Sequence, residues 1–161
     1  MLMLNQLVGF GVGSEILTTQ TISDFSTSSG SDFGGYTMVS RNTPLTAGDR
    51  IRKIGAYSTN SRTVVVKIYL RLTSTTGDVV VSESFSHAGG GWEDFTLSAD
   101  YTIPGSGEYD VAAYSATAWA DNATTGISRA YKLADITGSG VTGMSEDTIV
   151  GMLPLRVVKV S

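Results

Sequence analysis

The side chains that could carry out acid–base chemistry lie in the middle of the chain. A glycosidase uses two carboxyl groups held about 5–9.5 Å apart, one as acid and the other as base or nucleophile. Adjacent residues such as Glu93 and Asp94 point to opposite faces of a strand, so they do not form such a pair. Nothing in the sequence indicates that any two of the other acids lie close together in space. We therefore predict no catalytic residue. The acids considered are Glu83, Glu93, Asp94, Glu108 and Asp110.

Histidine and cysteine chemistry is equally restricted. The chain has one histidine, His87, and no cysteine. A Ser–His–Asp triad therefore has a single base available, and thiolate catalysis, disulfides and Cys–His zinc sites are excluded. Because residues 89–91 are three glycines, we expect His87 to lie exposed beside a loop. The sequence thus indicates a protein that is not an enzyme.

Acidic loop residues make a limited case for a structural calcium ion. Calcium takes about 6–8 oxygen ligands from carboxylates and carbonyl groups. Asp49, Asp78, or Asp121 with Asn122 could supply some of them, but the chain has no dense D-x-D-x-D run. We therefore predict no cofactor and no metal centre, with structural calcium as the one alternative left open.

Exposed aromatic rings are better candidates for a binding role. Between residues 64 and 72 the even positions are all apolar, whereas the odd positions include Lys67 and Tyr69. This alternation predicts a strand with one face in solvent, and it places Tyr69 on that face. After Tyr109, Trp119 shares parity with Ser115 and Thr117, so alternation places it in solvent as well. Tyr57 is a third candidate. Such rings can stack on sugars or anchor a protein interface, so both kinds of partner remain open.

Short strands separated by turns must position these residues. The turn at 75–78 follows the strand at 64–72 and leads into the second arm of a hairpin. Trp92, ahead of Phe95 and Leu97, is expected in the core. The pattern predicts an all-β fold, an antiparallel β-sandwich or jelly roll of about eight strands. Strands are expected at 36–40, 50–58, 64–72, 79–85, 92–97, 109–118, 127–133 and 155–160.

Residues 1–35 differ in composition from the rest and carry only three charged side chains. They open with an apolar segment, residues 1–10, which we call the apolar arm; no basic region precedes it, so we do not interpret it as a secretion signal. Residues 23–35 are rich in Ser and Gly, as linkers are. We predict an extended arm and linker over 1–35 and a sandwich domain over 36–161. The arm must dock on its own domain or on another chain, through Leu2, Leu4, Leu7, Val8 and Phe10.

The charges are few and unevenly placed. The chain has 16% charged residues and a net charge of −4, which argues against nucleic acid as a partner. Residues 41–72 carry seven basic groups and one acid, whereas 78–147 carry eleven acids and two bases. These strands could neutralise each other within a sheet, or the basic part could meet an acidic partner. No apolar run reaches the roughly 20 residues of a membrane span, so none is predicted.

From Asp49 to Trp119 the sequence resembles jelly-roll modules that are appended to carbohydrate-active enzymes and occur in phage virion proteins. The matching elements are Ile54-Gly55-Ala56-Tyr57, then Gly91-Trp92 with Phe95 and Leu97, then Ile103-Pro104 followed by Gly107 and Tyr109. These motifs are structural, a tryptophan opening a strand and a Pro-Gly turn before the next. The resemblance therefore implies the sandwich fold more directly than it implies a function.

Together with the apolar arm, the resemblance implies a non-enzymatic virion component such as a capsid decoration, head-fibre or tail protein. Such a protein would assemble in the host cytoplasm, form a homo-oligomer and bind other virion or capsid proteins through its arm. The alternative is a carbohydrate-binding module or receptor-binding tip. In that case Tyr57, Tyr69 and Trp119 would hold a surface glycan.

Overall fold

The computed structural model describes residues 14–27, 33–119, 121–123, 129–147 and 153–161. The described part of the chain is all β and contains twelve strands. The residues proposed for the arm, from Leu2 to Phe10, lie outside it. The strands are β1 (Leu17–Ser23), β2 (Phe25–Thr27), β3 (Thr37–Leu45), β4 (Arg50–Ser58), β5 (Arg62–Arg71), β6 (Gly77–His87), β7 (Gly91–Thr102), β8 (Glu108–Tyr114), β9 (Asn122–Ala123), β10 (Arg129–Lys132), β11 (Ser145–Asp147) and β12 (Leu155–Val160).

Ten of these strands form two antiparallel sheets that pack face to face. The first has four strands in the order β1-β12-β4-β7, and the second has six in the order β11-β10-β3-β8-β5-β6. Strands β2 and β9 form a separate two-stranded ladder. The predicted antiparallel β-sandwich is therefore confirmed, with more strands than expected because several of them are only two to four residues long.

The core between the sheets follows the alternation in the sequence. Val64, Val66 and Ile68 of β5 are 0% exposed and face the four-stranded sheet. That sheet contributes Ile54 and Leu155, which are also fully buried. Burying such aliphatic side chains stabilises a domain by about 1.5–3 kcal/mol each, so this layer holds the two sheets together.

A second apolar layer covers the outer face of the six-stranded sheet. Residues 133–144, which we call the cover segment, lay Ile136, Val141 and Met144 over that face. Two backbone contacts tie the segment down, because Val141 forms a bridge with Gly77 and the Val79 N–H donates to the Gly138 carbonyl at 2.8 Å. The part of this face around Lys67 and Tyr69 is therefore buried, although alternation assigns it to solvent.

Strand β1 lies inside the segment that the sequence indicated as arm and linker. It pairs with β12 from Leu17 to Ser23, and Ile22 is part of the core. Phe33 is also a core residue. The expected domain start at Tyr36 is thus corrected, because the sandwich already includes β1 and Phe33.

The uneven charges are neutralised between neighbouring strands. Arg52 of β4 binds Asp100 of β7 at 2.8 Å and Glu15 at 2.6 Å. On the other sheet, Lys67 of β5 binds Asp135 of the cover segment at 2.6 Å. Basic and acidic regions of the sequence therefore meet within this domain.

Candidate functional site

Tyr69 is placed by the structure on the predicted face of β5 but not in solvent. Its side chain is 0% exposed and packs with Val39, Ala112 and the cover segment. The prediction that Tyr69 is exposed is wrong, because alternation reports which face a residue takes and not what covers that face. A ligand cannot reach this ring, because the cover segment lies over it.

Trp119 is also buried, which again corrects the expected exposure. It lies outside the strands, beyond the end of β8 at Tyr114, so strand alternation does not apply to it. The ring is 0% exposed, its Nε1–H donates to the Tyr57 carbonyl at 3.2 Å, and the Arg62 guanidinium lies 5.0 Å from the ring centroid. Trp119 is a core residue and not a platform for a ligand.

Tyr57 is the one predicted aromatic that reaches the surface, and it does so beside Trp92. The two side chains lie opposite each other in the β4–β7 register, with ring centroids 5.9 Å apart. Both are half-buried, so the expected core position of Trp92 is wrong. The signal was present in the sequence, because Trp92 has the opposite parity to Phe95 and Leu97, which are buried.

The rings of Tyr57 and Trp92 have partners within the domain. Phe25 stacks on Tyr57 with centroids 3.9 Å apart, and the Arg156 guanidinium lies 4.7 Å from the centroid of Trp92. Arg156 also donates to both carboxylate oxygens of Asp94, at 2.7 and 2.9 Å. Stacking within the domain therefore occupies ring surface that a sugar would need.

Gly55 makes room for the Arg156–Asp94 contact. It lies between these two residues in the register of β12, β4 and β7. A Cβ atom at this position would lie 2.2 Å from Asp94 Oδ1 and 2.8 Å from Arg156 Cγ. Only glycine leaves the space for the two side chains to meet across β4.

Two of the candidate catalytic acids are held by neighbouring backbone groups. Glu83 accepts hydrogen bonds from the Ser98 N–H at 2.9 Å and from its hydroxyl at 2.7 Å. Glu93 accepts one from the Ala88 N–H at 2.8 Å. These contacts fasten β6 to β7 and the 88–91 loop to β7.

Glu108 and Asp110 share one arginine. Arg71 donates to Glu108 at 2.6 Å and to both oxygens of Asp110 at 2.9 and 3.0 Å. Asp110 is 0% exposed. Its burial raises its pKa to about 6, even though the guanidinium groups of Arg71 and Arg41 act in the opposite direction. Asp110 therefore forms an ion pair with Arg71 beneath the surface, where a substrate cannot reach it.

His87 is buried at the end of β6, which corrects the expectation of an exposed loop residue. Its side chain is 2% exposed. The Gly89 N–H donates to Nδ1 at 2.9 Å, so Nε2 carries the proton and donates to the Ala56 carbonyl at 3.1 Å. The imidazole fastens the 88–91 loop to the sheet edge, and both of its nitrogens are occupied.

The acids considered for calcium have other contacts. Asp49 accepts from the Lys159 ammonium at 2.5 Å, and Asp78 accepts from the Gly140 N–H at 2.7 Å. Asp121 accepts from a backbone N–H of Thr59 at 2.9 Å. Among the residues that the structure describes, no group of three or more His, Cys, Asp or Glu side chains could hold a metal ion.

Comparison of the chain with protein-family models, with curated proteins and with solved structures finds no match. Its function must therefore be argued from its own residues. Within the described ranges there is no helix long and apolar enough to cross a membrane.

Proposed function

We propose that this protein is a non-enzymatic structural subunit of a virion, of the decoration, head-fibre or tail class, that attaches through its apolar arm. In this proposal it assembles in the host cytoplasm, associates with copies of itself and binds other virion proteins. The observation that carries the proposal is the exposed apolar start of β1. Ile16 is 63% and Leu17 is 51% exposed, so two aliphatic side chains close to the arm are available for a partner to cover.

The position of these residues supports attachment at this end of the sandwich. Ile16 exchanges two backbone hydrogen bonds with Ser161, at 3.1 and 3.0 Å. The residue before β1 is therefore held against the residue that follows β12. The apolar arm precedes β1 by only a few residues in the sequence, so a protein that binds the arm can also contact one of these two side chains, which point to opposite faces of the sheet.

The contacts of the candidate catalytic residues support a structural role for them. Glu83, Glu93 and His87 fasten loops and strand edges. Asp94 and Asp110 are held in bidentate arginine pairs. The glycan-binding alternative is less well supported, because Tyr69 and Trp119 are fully buried.

Acidic substitutions in the arm test the proposal. Burying a leucine contributes about 1.5–3 kcal/mol, so we expect the double variant Leu4→Glu, Leu7→Glu to bind its partner about a hundredfold more weakly or worse. The measurement is co-sedimentation of the full chain with the assembled products of the genes that neighbour its own. Circular dichroism establishes that the sandwich remains folded in the variant.

The matched control is Leu133→Glu, which adds an acid at another exposed leucine (67% exposed). This control should sediment like the unmodified chain. If the arm variant also sediments normally, attachment through the arm is refuted.

A further inference from the structure

Among the residues that the structure describes, strand β1 is an unprotected sheet edge. It pairs with β12 on one side and is the terminal strand of the four-stranded sheet. Proteins usually blunt such edges with charges or proline, because unpaired N–H and C=O groups attract another strand. The seven residues of β1, LTTQTIS, contain neither.

The other terminal strands of the four- and six-stranded sheets carry the charges that usually protect such edges. Acidic side chains occur on β7, at the other end of the four-stranded sheet, and on β6 and β11, the terminal strands of the six-stranded sheet. They are Asp78, Glu83, Glu93, Asp94, Asp100, Glu146 and Asp147. The contrast singles out β1 as the edge whose composition permits pairing with another strand.

The backbone groups of β1 that point outward can be assigned from its pairing. Ile16 and Ser161 exchange both hydrogen bonds, and the register continues without a shift as far as Thr21. Because the direction of N–H and C=O alternates along an antiparallel strand, those of Leu17, Thr19 and Thr21 point away from β12. These groups face the open edge.

Gln20 gives an independent indication of a partner. It lies opposite the core residue Val157, so its side chain is on the inner face of the sheet. Its Oε1 atom is buried and has no hydrogen-bond donor among the described residues. A buried acceptor without a donor costs about 1–3 kcal/mol, and an incoming amide would remove that cost.

We propose that β1 pairs antiparallel with β1 of a second copy, about a twofold axis at Gln20. About this axis, residue 19 of each copy lies opposite residue 21 of the other, which is the reciprocal contact that a twofold interface makes. Thr19 of each copy then exchanges backbone hydrogen bonds with Thr21 of the other. The two Gln20 side chains meet as a non-hydrogen-bonded pair, the closer of the two antiparallel spacings, and each amide donates to the other's Oε1.

This inference rests on the proposed self-association of the subunit but does not involve the apolar arm. It makes the four-stranded sheet continuous across the dimer. An arm variant that fails to attach and a β1 variant that fails to dimerise would be separate results.

Cysteine cross-linking of the full chain tests the register directly, because the chain has no cysteine of its own. In Gln20→Cys the two Cα atoms would lie about 4.5 Å apart, within the range of a disulfide. In Thr18→Cys, on the same face, they would lie roughly 14 Å apart, four residues out of register. Under mild oxidation we expect Gln20→Cys to form a covalent dimer at least tenfold faster than Thr18→Cys.

Light scattering on the uncross-linked protein completes the test. We expect the unmodified chain to be dimeric and Thr19→Lys to be monomeric, because the lysine places a charge at the pairing edge. Thr63→Lys, at an exposed position on the other sheet, should remain dimeric. A chain that is monomeric at every concentration, or equal cross-linking of the two cysteine variants, would overturn the proposal.

Discussion

Replacing Trp119 with alanine is expected to lower the free energy of unfolding by about 3–5 kcal/mol. The indole is 0% exposed and is packed among the core residues between the two sheets. Its removal leaves a cavity, and it deprives the Tyr57 carbonyl of the Nε1–H donor 3.2 Å away. The Arg62 guanidinium also loses its contact with the ring. Urea unfolding followed by far-ultraviolet circular dichroism measures this loss.

Trp92→Ala is the matched control for this prediction. Trp92 is half-buried on the outer face of the four-stranded sheet, where solvent can fill the space that the ring leaves. We expect its loss to cost less than half as much as that of Trp119. If Trp119→Ala left stability unchanged, Trp119 would be a surface residue, and its candidacy as a sugar platform would be restored.

Asp110 is expected to make the stability of the protein depend on pH in an unusual direction. Its burial raises its pKa from 3.8 to about 6 in the folded chain. The folded state therefore binds the proton more tightly than the unfolded state does. The resulting stability is fully present below about pH 4 and is lost as the pH rises through 6. A shift of this size corresponds to at most about 3 kcal/mol.

The Asp110→Asn variant isolates this effect from other titrations. Glu15 and Asp100 have lowered pKa values because they bind Arg52, so their effect on stability changes with pH in the opposite direction. Both residues are present in the unmodified chain and in Asp110→Asn, so their effect cancels in the comparison. We expect the free energy of unfolding of the unmodified chain, relative to Asp110→Asn, to rise by up to about 3 kcal/mol between about pH 7 and about pH 4. A relative stability that does not change with pH would contradict the burial of Asp110.

Much of the fold could be predicted because the strands of the core bury one face and alternate accordingly. The alternation at 64–72 correctly predicted a strand, which the structure places at Arg62–Arg71. The same alternation wrongly predicted that Tyr69 is exposed, because the sequence of the cover segment resembles a glycine-rich loop. No local pattern shows that Ile136, Val141 and Met144 will pack over a sheet face formed by residues distant in the chain.

Strand β1 was missed for a related reason. A terminal strand buries little, and of its residues only Ile22 belongs to the hydrophobic core. Its Thr-rich sequence therefore resembles a linker. Its place in the sheet depends on pairing with β12 at the far end of the sequence, and such long-range pairing cannot be deduced from local periodicity.

Trp119 is buried and Trp92 reaches the surface, which is the reverse of the prediction. The two predictions depend on different features of the sequence. Trp92 is predicted in the core from its place ahead of Phe95 and Leu97, and Trp119 is predicted in solvent from a parity that does not hold beyond the end of β8. Parity applied within β7 places Trp92 correctly. For Trp119, burial depends on the Arg62 and Tyr57 groups that surround it.

Photocrosslinking from the arm shows directly whether the arm attaches this protein to another one. Benzoylphenylalanine at position 7 of the full chain, irradiated in a mixture with the purified products of neighbouring genes, reports what the arm touches. The same probe at the exposed Leu72 (58% exposed) serves as the control. The proposed function predicts covalent products between position 7 and another protein, with none from position 72. Crosslinks from position 7 that are confined to its own chain would contradict it.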